Sequence, residues 1–183
     1  MRRIGFVALV TVVLLASAAM AYAGNGKTPP GWNSNSNHYT AMPVANPNNP
    51  AEMSTMLVRE RTPDAVLAQH IKALNGCDWK GLMQQYPDSY ELRLPGGTVV
   101  RGRTEAAATF AGFVKPHAEG GLCGVTFTEI SRQVTGGTLA VTWEANAPFL
   151  AEPYRGSDAY ITNDGLMVSM VSTFDGAALK FKP

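Results

Sequence analysis

Asn163-Asp164-Gly165 sits between two strand-like runs, Gly156–Thr162 (GSDAYIT) and Leu166–Phe174 (LMVSMVSTF). A tight hairpin turn needs two residues at positive φ, and Asn, Asp and Gly adopt that backbone at least cost. The tripeptide therefore makes the two runs antiparallel neighbours. Two more alternating runs precede them, GVTFTEISRQV from Gly124 and TLAVTWEANAPFL from Thr138, joined across Gly136-Gly137. The second half of the chain thus reads as an antiparallel meander.

Helix signals come first. Thr62-Pro63-Asp64 offers an N-cap, a first-turn proline and an acid where the helix dipole favours one. Behind it, Val66, Leu67, His70, Ile71 and Leu74 share one helical face, with a histidine in its middle, and Asn75-Gly76 ends the run. A shorter helix is predicted from Asp78, carrying Trp79, Leu82, Met83 and Tyr86 before Pro87 stops it. Tyr90, Leu92 and Leu94 alternate with Glu91 and Arg93, and Pro95-Gly96-Gly97 turns the chain into Thr98-Val99-Val100. Thr104 is the predicted cap of a third helix that closes before Pro116. Helices first and hairpin-joined strands last predict an α+β fold with an antiparallel sheet. Its bent form is a cone, with three helices packed on the concave side.

The ends divide the chain. Arg2 and Arg3, the apolar run Ile4–Leu15 and Ala21-Tyr22-Ala23 form the three parts of a cleavable signal peptide, predicted over residues 1–23. An uncleaved membrane anchor is the alternative, but the apolar core decays into Ala and Ser before the cleavage site. The expected localisation is therefore exported, periplasmic or extracellular, with no stable membrane insertion after cleavage. Residues 24–61, rich in Asn, Pro and Ser and without an apolar period, read as a flexible leader. The folded domain is expected over 62–183.

Basic and acidic residues number 15 and 14, and removal of Arg2 and Arg3 leaves 13 against 14. With no basic stripe to neutralise phosphates, nucleic-acid binding is not expected. Cys77 and Cys123, an even pair in an exported chain, favour a disulfide closing 46 residues; two buried reduced thiols are the alternative. No C-x-x-C occurs and the histidines His38, His70 and His117 are scattered, so neither a metal site nor a cofactor is expected.

The helix–hairpin–helix–meander order resembles the nuclear-transport-factor-2-like fold, more narrowly its SnoaL-like and ketosteroid-isomerase-like members. The resemblance covers about Pro63 to Phe174. It is carried by Asn75-Gly76-Cys77-Asp78-Trp79, Tyr86-Pro87-Asp88, Pro95-Gly96-Gly97, Arg101-Gly102-Arg103 and the closing hairpin Ser157–Met167. It implies a cystatin-like roll around a pocket, a fold that hosts isomerases, cyclases, dehydratases and binding modules alike. In the isomerase branch, a carboxylate base ends the first strand; that position here is Leu94, which cannot take a proton, so ketosteroid isomerisation is not expected. The family's strand acid matches Asp158, and His70 stands where the branch has a helix tyrosine.

Asp158 and His70 are thus the catalytic candidates, a desolvated carboxyl and an imidazole on facing elements. The plainer alternatives are a rim aspartate bonded to backbone or Arg155, and a packed core histidine. Tyr86, Tyr90, Trp143 and Tyr160 are expected to line the cone and stack on a flat ligand, although aromatics at period two also serve ordinary sheet packing. The last strand is apolar on both faces, which predicts a homodimer through the outer sheet face. Three functions fit these residues: binding of a small, mostly apolar or aromatic molecule; acid–base catalysis of cyclase, dehydratase or lyase type by Asp158 with His70; or a non-catalytic dimeric scaffold with a plugged cone.

Overall fold

The computed structural model describes residues 39–183. The predicted signal peptide and the first part of the predicted leader lie outside the described residues. Helix α1 (Pro63–Asn75) starts as its sequence predicts, with the Thr62 hydroxyl accepting the Ala65 N–H at 3.1 Å. Val66, Leu67, His70 and Ala73 are buried along its inner face. Helix α2 (Trp79–Met83) is capped by the Asp78 carboxylate, which accepts the Gly81 N–H. Helix α3 (Gly102–Phe113) starts two residues before the expected cap, so Thr104 lies inside it. No side chain caps the first turn of α3; the Glu105 carboxylate instead reaches back to accept the Arg101 N–H at 2.7 Å.

A six-stranded sheet curves around these helices. It consists of β3 (Glu91–Arg93), β4 (Val99–Arg101), β5 (Thr126–Thr135), β6 (Thr138–Asn146), β7 (Tyr154–Asn163) and β8 (Leu166–Ser172). The order across it is β4-β3-β8-β7-β6-β5. The expected turn between β7 and β8 forms, with Asp164 at φ 50° and Gly165 at φ 73°. One seam departs from the antiparallel expectation: β3 pairs with β8 in parallel, Leu92 opposite Met170. The sheet stays open, and with the helices on its concave side it forms an α+β cystatin-like roll. Among the described residues, no helix is long and apolar enough to cross a membrane.

Order begins earlier than the composition of residues 24–61 predicts. Within the stretch read as flexible, β1 (Val44–Asn46) and β2 (Asn49–Ser54) form an antiparallel hairpin. Its anchor is Arg103 on α3, 1 % exposed, whose guanidinium donates to the carbonyls of Met42, Met83, Tyr86 and Ser54 and to the Ser54 hydroxyl. Further ties come from Asn48 to the Ala111 carbonyl, from Asp88 to Thr40 and Met42, and from Asn163 to the Tyr39 hydroxyl. Polar residues with no apolar period are ordered here because they satisfy a buried cation and exposed helix ends. The Cys77–Cys123 disulfide forms as well, with Cα atoms 5.7 Å apart. It joins the end of α1 to the segment that enters β5.

The apolar second face of β8 is partly covered by the chain itself. Glu60 donates its N–H to the Gly165 carbonyl, and Met167 donates to the Gln85 carbonyl, so Leu166 and Met167 are buried. Val171 is the large apolar side chain of this strand left exposed.

Candidate functional site

Strand register fixes which side chains meet on the concave face. Leu139, Tyr160, Met170 and Leu92 are partners across β6, β7, β8 and β3. One step along, Val141, Asp158 and Ser172 form the next row. In a third, Trp143 stands opposite Gly156. A Cβ at Gly156 would lie 2.5 Å from Trp143 Cζ2, so the missing side chain is what lets the indole lie flat against β7.

Between these rows and the helices is a cavity of about 50 Å³. His70, Ile71 and Leu74 from α1 and Phe110 and Phe113 from α3 form its roof; Trp143, Asp158, Tyr160, Met170 and Ser172 form its floor. Leu94 lines it too, so the position a carboxylate base would need is an apolar wall. The sequence candidates His70, Asp158, Trp143 and Tyr160 are thereby brought together. Tyr86 and Tyr90 are not in the lining. They are fully buried behind His70, with their rings stacked at 4.2 Å, and the Tyr86 hydroxyl meets His70 Nδ1 at 2.9 Å. Alternation identifies a residue's face of the sheet but not its depth beneath a helix, which is why these two were misplaced.

Asp158 is held on both oxygens. Tyr160 donates its hydroxyl to Oδ2 at 2.9 Å, and the Thr173 N–H donates to Oδ1 at 3.1 Å. Arg155, the alternative partner, pairs with Glu144 instead. Burial pushes the Asp158 carboxyl above its usual range, opposed by the Ser172, Tyr160 and Thr173 donors and by the nearby Trp143 indole. Burial also drives His70 down to about 3, so the imidazole is neutral near pH 7. His70 and Asp158 do not hydrogen-bond to each other. Tyr160 stands between them, bonded to Asp158 and set against the His70 ring with centroids 5.4 Å apart.

Among the described residues, His70 Nε2 and Trp143 Nε1 are buried without a well-formed hydrogen bond, although the indole lies near enough to Asp158 to lower its pKa. The indole N–H can only donate, and where Tyr86 donates to Nδ1 the imidazole carries its proton on Nε2. An orphaned buried donor costs about 1–3 kcal/mol, a cost that any acceptor reaching either atom would offset. Sequence reasoning missed Ser172 and Phe174, which continue the inward period of β8 beyond its last strongly apolar residue.

Comparison with known proteins agrees with this architecture. A nuclear-transport-factor-2-like protein of unknown function from Cytophaga hutchinsonii aligns over 64% of this chain and 94% of its own, at 14% identity and a TM-score of 0.51. The epoxide hydrolase/cyclase-like enzyme SalBIII, of pyran ring formation in the polyether salinomycin, aligns over 66% and 95%, at 17% identity and a TM-score of 0.53. TerC, co-crystallised with polyporic acid, aligns over 63% and 93%, at 16% identity and a TM-score of 0.51. No protein-family profile and no curated protein matches the sequence. The chain has the nuclear-transport-factor-2-like fold.

Proposed function

We propose that this chain is an exported domain that binds a small, mostly apolar molecule bearing a hydrogen-bond acceptor, held in the cavity between α1, α3 and the sheet. The carrying observation is that two lining residues of one apolar cavity, His70 and Trp143, each keep a buried ring nitrogen without a well-formed hydrogen bond. Both charge-bearing groups of the lining are biased toward neutrality by burial, which suits an uncharged ligand. Proteins of the same fold are described as a cyclase-like enzyme and as a complex with polyporic acid, which supports a small-molecule role for the cone.

Acid–base catalysis by Asp158 is the second reading, favoured by its raised pKa on the same cavity. Binding is preferred because both carboxyl oxygens are already engaged and His70 is separated from Asp158 by Tyr160. We further propose that the outer sheet face, with Val171 exposed on it, pairs two copies of the chain.

Native mass spectrometry of the mature chain from its exporting cells, before and after denaturation, tests the export, the binding and the pairing. The expected result is a homodimer starting near Gly24, with a neutral molecule released at about one per subunit. His70→Ala is expected to reduce retention of that molecule, and the exposed Lys72→Ala to leave it unchanged. An empty chain, or equal effects of the two substitutions, would overturn the binding function; a monomer would overturn only the pairing.

A further inference from the structure

Outside the cavity lies a shallower cleft of about 290 Å³, and Phe113, Leu122 and Phe174 belong to the walls of both. These three half-buried side chains form the partition between the two spaces. Phe113 and Phe174 meet edge to face, with centroids 6.1 Å apart. Phe174 is carried on the irregular segment after β8, and its neighbour Thr173 is the backbone donor to Asp158. The partition is therefore attached directly to the polar end of the inner cavity.

Beyond it, the cleft presents an aromatic surface. His117 lies flat on Phe149, with centroids 3.8 Å apart and planes 3° apart, and Phe181 is 5.1 Å from His117 at 22°. Phe181 is 47% exposed, so its ring is available to a ligand. Gly112, Gly120, Gly121 and Gly176 complete much of the lining and put no side chain into the space. No Asp, Glu, Lys or Arg belongs to that lining.

Size separates the roles of the two spaces. Sites that enclose a drug-sized ligand run to about 300–1,000 Å³. The inner cavity, at about 50 Å³, has room for only a few small groups. Joined through the Phe113–Phe174 partition, the two spaces reach the lower end of that range.

We propose that the ligand is elongated and in two parts: a compact head with one hydrogen-bond acceptor in the inner cavity, and a flat, uncharged aromatic or conjugated tail that passes between Phe113 and Phe174 to stack over His117 and Phe181. This assignment rests on the inner cavity being a small-molecule site.

The test is an NMR-detected titration of the mature chain with butan-2-one and with ω-phenyl methyl ketones that place two to four methylenes between carbonyl and ring. Every probe presents the same acceptor, and only the phenyl series can reach the cleft. At least one phenyl ketone is expected to bind about tenfold more tightly than butan-2-one and to shift the His117 ring signals, which butan-2-one does not. Phe181→Ala, which truncates a half-exposed ring outside the core cluster, is expected to cut that advantage by about three- to tenfold, the range that aromatic stacking supplies. If butan-2-one shifts the His70 and Tyr160 signals but no phenyl ketone gains affinity, or the gain survives Phe181→Ala, the two-part ligand is overturned and the inner site stands. If no ketone perturbs His70, Tyr160 or Trp143, the inner site falls and the elongated ligand with it.

Discussion

Arg103 and His70 are both fully buried polar residues in the helical layer, yet their surroundings differ in kind. Around Arg103 the donors are spent: one guanidinium serves four carbonyls and a hydroxyl drawn from the hairpin, α2 and the turn after it. Around His70 the network stops halfway, with Nδ1 engaged by Tyr86 and Nε2 left without a hydrogen bond at the cavity wall. A completed buried network fixes structure, whereas an incomplete one at a cavity wall is what a ligand completes. Burial alone would not tell the two apart.

The comparison is broken most forcefully at Arg103. Arg103→Met keeps the volume but strands several buried carbonyls, and the expected cost is about 3–5 kcal/mol, since each unsatisfied buried acceptor costs about 1–3 kcal/mol. Urea unfolding measures it, and protease cleavage between residues 39 and 61 reports whether the hairpin detaches. A loss under about 1 kcal/mol, with the hairpin still protected, would mean the guanidinium is not the anchor.

His70 should reveal itself through acid. Its folded pKa of about 3 lies below the ordinary 6.5, so the unfolded chain binds the proton first as pH falls. The stability linked to this residue is complete above about pH 6.5 and is lost progressively toward pH 3, amounting to about 2 kcal/mol by pH 5. Urea midpoints of wild type and His70→Gln between pH 7 and pH 4 should therefore converge as acid is added. Parallel curves would show that His70 is not held neutral.

A smaller change sharpens the cavity itself. Gly156→Ala places a methyl against the Trp143 indole and should cost about 1–3 kcal/mol as overpacking. Near-ultraviolet circular dichroism should report the moved ring. An unchanged signal and stability would mean the sheet absorbs the methyl without disturbing the site.

What was legible in the sequence was local chemistry. Thr62-Pro63-Asp64 and Asp164-Gly165 act through their own backbone, so the start of α1 and the β7–β8 turn lie where the residues put them. His70, Asp158, Trp143 and Tyr160 were readable because period 3.6 and period 2 decide a face. The hairpin at Val44–Ser54 was not readable, since its order depends on an arginine far along the chain. Nor was the parallel β3–β8 seam, which joins strands separated in sequence by a helix and four other strands. The depth of Tyr86 and Tyr90 was hidden for the same reason: contacts across the fold, not neighbours in sequence, decide which aromatic rings reach the cavity.

The indole resting on Gly156 has an implication for descent. Alanine codons differ from glycine codons by a single base, so one point mutation separates this cavity from a narrower one. A chain of this fold could exchange a ligand site for a solid core without altering a helix, a strand or a turn. For any related sequence, the residue opposite the tryptophan is therefore the first position to read when asking whether a site is there at all.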